Sequence, residues 1–170
     1  SFLSVFVVGY QQEKRSIDSL YSKVQFLFSQ KAYKQLHLKI SEVQFAGIKK
    51  EKDSLTVAKI WHIKANAYYE KGHYFQAVSV YNKAISFTPN TEKGKNLKGS
   101  ILYDRAFAEY YLEQYIRSYK TVKKAEALLS TLRKPDYNYL LSIYADLGSE
   151  ASYLGFYDEA EYYLKKGFSL

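Results

Sequence analysis

AKIWHIKANAYYEKGHYFQAVSVYNKAISFTPNT, residues 58–91, is the stretch whose reading decides the fold. Trp61, Ala65 and Tyr68 recur three or four residues apart, which places them on one face of a helix. Gly72 breaks that helix, and Tyr74, Ala77, Tyr81 and Ala84 form the matching face of a second. Ala65 and Ala77 are small where two backbones must approach, and aromatic rings fill the space on either side. Pro89 ends the second helix, because it has no N–H to donate and crowds the preceding turn. The spacing predicts a helical hairpin.

The same residues resemble the tetratricopeptide repeat family. Its pattern, W-x2-L-G-x2-Y…A-x3-F…P, is followed at Trp61, Ala65, Tyr68, Ala77, Tyr81, Ala84 and Pro89, with Lys64 in place of Leu and Ala65 in place of Gly. The resemblance implies an all-α fold, a right-handed α-solenoid of about four such hairpins. Working outward, Tyr33, Tyr74, Tyr115 and Tyr157 keep separations of 41, 41 and 42 residues. Leu36, Ala77, Ser118 and Ala160 keep the same period, as do Val43, Ala84, Ala125 and Gly167. Tyr144, Leu147, Gly148, Ala160 and Leu164 again follow the family pattern. The expected helices are 17–30 and 32–48, 54–71 and 74–88, 97–113 and 115–132, 136–153 and 157–169. KKEKDS and PNTEKGKN serve as connections. Residues 1–15 are then an apolar leader or N-terminal extension. Residues 16–170 form the repeat domain, with repeats at about 17–53, 54–94, 95–135 and 136–170.

Composition bounds the rest. With 170 residues, 47% of them hydrophobic, the chain can bury a real core. Two prolines and eight glycines suit long helices with short connections. The absence of cysteine excludes disulfides, Cys-ligated zinc and thiol catalysis. Nineteen tyrosines and ten phenylalanines are read as packing between helices. The net charge of +8 concentrates at Lys49-Lys50-Glu51-Lys52, at Lys93, Lys95 and Lys98, and at Arg117, Lys120, Lys123 and Lys124. The first two groups fall in expected connections and the third on the outer side of a helix, so all three are read as a solvated rim.

The run FLSVFVV at residues 2–8 is far too short to span a bilayer. It reads either as the tail of a secretory signal or as a short element covering the first repeat. The compartment stays open between extracytoplasmic (periplasmic) and cytoplasmic, the leader favouring the former. At the other end, Tyr139, Leu141, Tyr153, Tyr163, Leu164 and Phe168 are too many apolar residues for one face. The expectation there is a continuing chain or a homodimer through the terminal repeat.

No catalytic constellation, cofactor motif or metal site is expected, and the chain is not read as an enzyme. His37, His62 and His73 have no i,i+3 or i,i+4 partner among themselves, and no phosphate loop or nucleophile elbow is present. The resemblance places a ligand-binding groove on the first helix of each pair. In register with Trp61 this face reads Asp18, Tyr21, Gln25 and Phe28, then Lys59, His62, Asn66 and Tyr69. It continues with Ser100, Tyr103, Phe107 and Tyr110, then Ser142, Ala145, Ser149 and Ser152. Aromatic rings beside an amide can bury a peptide's apolar side chains and pair with its main chain. The candidate site is Tyr21, Gln25, Phe28, Lys59, His62, Asn66, Tyr69, Tyr103, Phe107 and Tyr110, with Asn66 at the edge and its amide free. Asn66 resembles the asparagine with which some family members hold a carboxylate, but the cations of that clamp are missing.

The reading is therefore a module that binds a peptide or partner segment. DSLTVAKIWHIKANAYYEKGHY, from Asp53, together with the leader resembles the repeat region of bacterial one-component sensors. That resemblance implies a sensory or scaffold part, with a membrane helix or output domain outside these residues. The alternatives are a fragment of a cytoplasmic peptide-sensing transcriptional regulator and, ranked below both, a nucleic-acid-binding helical repeat.

Overall fold

The computed structural model describes residues 17–41 and 51–170. The leader at 1–15, Val43, the last residues of the expected 32–48 helix and Lys49-Lys50 lie outside the described residues. Among those described, the chain is all-α, a series of helical hairpins. In order come α1 (residues 17–29), α2 (Tyr33–Ser41), α3 (Glu51–Glu70) and α4 (Tyr74–Ser86). They are followed by α5 (Glu92–Tyr111), α6 (Tyr115–Leu129), α7 (Tyr137–Tyr153) and α8 (Tyr157–Phe168). The chain forms two compact units that divide between Pro89 and Asn90.

The tyrosine column marks a structural position. Tyr33, Tyr74, Tyr115 and Tyr157 are the first residues of α2, α4, α6 and α8. The turn before each is built in one way. Lys31, Gly72, Glu113 and Gly155 take positive φ, at 54°, 73°, 60° and 79°. Their N–H groups donate to the carbonyls of Phe28, Tyr69, Tyr110 and Ser152 at 2.8–3.1 Å. The next N–H, of Ala32, His73, Gln114 or Phe156, reaches back to Leu27, Tyr68, Glu109 or Ala151 at 2.8–3.0 Å. This paired arrangement satisfies the orphan carbonyls at a helix end and sends the chain straight into the next helix.

In unit 1, α4 packs along α3, and α2 packs on α3 as well. Trp61, Ala65, Ala77, Tyr81 and Ala84 are all buried, as the hairpin reading expects. In unit 2, α5 pairs with α6 and α7 with α8, and α7 packs on both α5 and α6. Tyr144, Leu147, Gly148 and Ala160 are buried; Leu164 stays partly exposed and caps Gly148, where an added Cβ would fall 2.9 Å from its Cγ. Of the terminal apolar set, Tyr163 is buried and Tyr139 half-buried, whereas Leu141, Tyr153, Leu164 and Phe168 are exposed.

Two helices start earlier than the sequence predicts. α3 is already helical at Glu51, ahead of the expected 54, and α5 begins at Glu92 rather than 97. At α5 the Thr91 hydroxyl accepts the Gly94 N–H at 3.3 Å, and Glu92 stands in the first turn, where its charge suits the free N–H groups. Lys93, Lys95 and Lys98 therefore project from a helix and not from a connection.

Candidate functional site

In unit 1 the expected face is shared by α1 and α3. The Lys59 ammonium stands 5.7 Å over the Tyr21 ring, and the Tyr21 hydroxyl accepts from Gln25 Nε2 at 3.1 Å. Burial raises the Tyr21 pKa. Gln25 is exposed; Phe28 is half-buried and tilted against Tyr33 at 5.8 Å. Along α3, Lys59, His62, Asn66 and Tyr69 are all half-buried. His62 tilts against Tyr81 at 5.9 Å, and Tyr69 meets Tyr74 edge-on at 5.6 Å. The Tyr81 hydroxyl donates to Asn66 Oδ1 at 2.6 Å. The Asn66 oxygen is thus committed to α4, which corrects the expectation of a wholly free amide. Its N–H2 group has no partner among the described residues.

Unit 2 divides the expected face in two. Phe107 and Tyr110 are exposed, whereas Ser100 and Tyr103 are buried. Tyr103 is 7% exposed and donates to Asp146 Oδ2 at 2.6 Å, with Phe107 at 5.0 Å and Tyr139 at 5.8 Å both edge-on to its ring. Burial, and then the Asp146 carboxylate, push its pKa well above the usual tyrosine range. Tyr103 is therefore a pillar between α5 and α7 and not an open groove ring. Tyr139 completes the contact by donating to Asp104 Oδ2 at 3.2 Å. On α7, Ser142, Ala145, Ser149 and Ser152 are exposed.

Sequence reading missed the ion pairs that join α5 to α6 and α6 to α8. Glu109 is fully buried, with Arg105 Nε at 3.2 Å and Arg117 Nε at 3.1 Å from its Oε1, in ionic contact without hydrogen-bond alignment. Lys123, expected on an outer rim, pairs with Glu159 at 2.8 Å and with the Tyr163 hydroxyl. Burial opposes that ammonium's charge, but these two hydrogen bonds outweigh it and raise its pKa. Local pattern could not show it, since Lys123 and Glu159 are 36 residues apart and meet only once the helices pack.

Among the described residues, no three His, Asp or Glu side chains converge where a metal ion could be held, and no helix is long and apolar enough to cross a membrane. Residues 58–91 match the model of the tetratricopeptide repeat family. No curated protein and no solved structure gives a significant match. Tetratricopeptide repeats are non-catalytic and mediate protein–protein interaction. Hairpin α3–α4, with its Trp61–Tyr81 core and its Gly72 turn, is thus similar to a tetratricopeptide repeat, and the described residues form an all-α series of helical hairpins.

Proposed function

We propose that this chain binds an extended peptide or partner segment along the first-helix face of unit 1, as the sensory or scaffold part of a larger bacterial regulator. The observation that carries the reading is Asn66. Its oxygen is fixed by Tyr81, which aims the amide, and its N–H2, between half-exposed His62 and Tyr69, has no partner among the described residues. A donor held rigid beside aromatic surface suits a main-chain carbonyl flanked by apolar side chains. Lys59, over the Tyr21 ring, joins this face to Tyr21, Gln25 and Phe28 on α1. Phe107 and Tyr110 give unit 2 an exposed aromatic strip of its own.

Peptides selected from a displayed random library on the purified chain provide the probe. Asn66→Asp keeps an oxygen for Tyr81 but removes the donor, so it should weaken the selected peptide about tenfold, the cost of leaving one carbonyl unpaired, with little change in melting temperature. Tyr69→Ala should do the same by removing apolar contact. Lys124→Ala, on the exposed side of α6, should leave binding unchanged. A selected peptide indifferent to both Asn66→Asp and Tyr69→Ala would mean that the face is not the site.

A further inference from the structure

Unit 1 also gathers cations on the side of α3 turned away from Lys59, His62, Asn66 and Tyr69. At 100° per residue, Lys64 projects with Trp61 and Tyr68, toward the second helices. The Lys64 ammonium lies 5.0 Å from the Trp61 ring centroid and that of Lys83, from α4, only 3.8 Å. Neither ammonium has an ion pair or hydrogen bond among the described residues. Near enough to Lys64 to feel its charge, the His37 ring of α2 stacks on Tyr68 at 4.1 Å, with both ring nitrogens buried and without a hydrogen-bond partner among the described residues.

The charged groups that shift Lys64 and His37 are cations. Burial lowers the Lys64 pKa, and Lys83 lowers it further. Burial, Lys64, Lys71 and His73 together push His37 down to about 4. The neighbouring carboxylate, Glu70, is taken by the Tyr33 hydroxyl.

Hairpin α5–α6 shows what the same position looks like when neutralised. One period of 41 residues on, Arg105 stands for Lys64 and Glu109 stands for Tyr68. There a fully buried carboxylate meets the cation at 3.2 Å. Hairpin α3–α4 keeps the cation and puts a tyrosine where the counter-charge would be. A half-buried ammonium with a second one beside it is costly unless an anion comes to it.

We propose that Lys64 and Lys83, over the Trp61 ring and beside His37, receive an oxyanion: a carboxylate or phosphate group, free in solution or carried on an acidic partner segment. Its oxygens accept charge-assisted hydrogen bonds from both ammonium groups, and its charge offsets the cations around the His37 ring. The site is separate from the α1–α3 face and stands whether or not that face binds peptide.

Trp61 is the single tryptophan of the chain, so its emission reports this site alone. The full chain is titrated with inorganic phosphate at an ionic strength held constant with chloride, and separately with a glutamate-rich peptide. A saturable change in emission is expected with at least one of them. Saturation by phosphate identifies a free anion as sufficient; saturation by the peptide alone identifies a partner-borne carboxylate. Lys83→Gln, at an exposed position, and Lys64→Gln should each weaken binding about tenfold, the loss of one charge-assisted hydrogen bond. Saturation should also raise the His37 pKa read by NMR. Lys120→Gln, in unit 2, should change nothing. A response that never saturates with either probe, or one that persists undiminished in both lysine variants, overturns the proposal.

Discussion

Tyr103 shows how a residue's role is decided by a partner that local pattern does not reveal. Helical register places it beside Phe107 and Tyr110, but Asp146, 43 residues later, draws its hydroxyl under α7. Tyr103→Ala should therefore cost about 3 kcal/mol as a core truncation, read as a lower denaturant midpoint and not as a selective loss of binding. Asn66 was more legible, because its place in the repeat and its half-exposure both follow from the spacing around Trp61; its bond to Tyr81 did not. His37 carries a pH prediction. Its pKa falls from the ordinary 6.5 to about 4, chiefly by burial and then by the Lys64, Lys71 and His73 charges. Between those values the unfolded chain binds a proton that the folded chain refuses, so stability is lost as pH falls from about 6.5 to about 4 and is level above that window. Melting temperatures at about pH 7 and about pH 5 should show the drop, and His37→Leu should shrink it. An equal drop in the variant would assign the loss to other groups.

Among elements, the four inter-helix turns were the best-read feature and also hid a detail. The expected starts at 74, 115 and 157 are those of α4, α6 and α8, and α2 begins at Tyr33, one residue after the expected 32. Gly72 announced its turn, and Gly155 holds the equivalent place before α8. Lys31 and Glu113 did not announce theirs, although they take the same left-handed backbone at 54° and 60°. A side chain there pays a steric penalty of about 1–2 kcal/mol that glycine avoids. Glu113→Gly should consequently stabilise the chain by about 0.5–1 kcal/mol, once glycine's extra entropy in the unfolded state is subtracted. An unchanged or lowered melting temperature would mean that Glu113 has a compensating role at the turn. Helix starts were read less well. PNTEKGKN has the polar, glycine-bearing look of a loop, but the Thr91 cap begins α5 inside it. Asn96, in that stretch, then holds the start of the next hairpin, donating to the Lys134 carbonyl at 2.8 Å and accepting from the Asp136 N–H at 2.7 Å. Such contacts join residues 38 and 40 apart and leave no local mark.

At the scale of the whole molecule the net charge of +8 invites a nucleic-acid reading, and the placement of the cations argues against it. Binding a strand needs a run of unneutralised cations spaced to meet successive phosphates, because each contact adds to the salt-dependent term. Here Arg105 and Arg117 turn to Glu109, Lys123 to Glu159 and Lys166 to Glu126. Arg133 reaches Glu92 at 3.6 Å, and Lys165 pairs with Glu161 along α8. Much of the basic surface of unit 2 is thus matched within the unit, and Lys93, Lys95 and Lys98 share one helix with Glu92. Lys64 and Lys83 can meet a single oxyanion but not the successive phosphates of a strand. Binding to random duplex or single-stranded nucleic acid should therefore be weak, with a shallow salt slope, and gone by about 0.2 M salt. Anisotropy of a labelled oligonucleotide measures this directly, and the Lys64→Gln, Lys83→Gln double variant should reduce what little remains at low salt. Tight binding that survives such salt would require a contiguous cationic track, and would place nucleic acid above peptide as the partner.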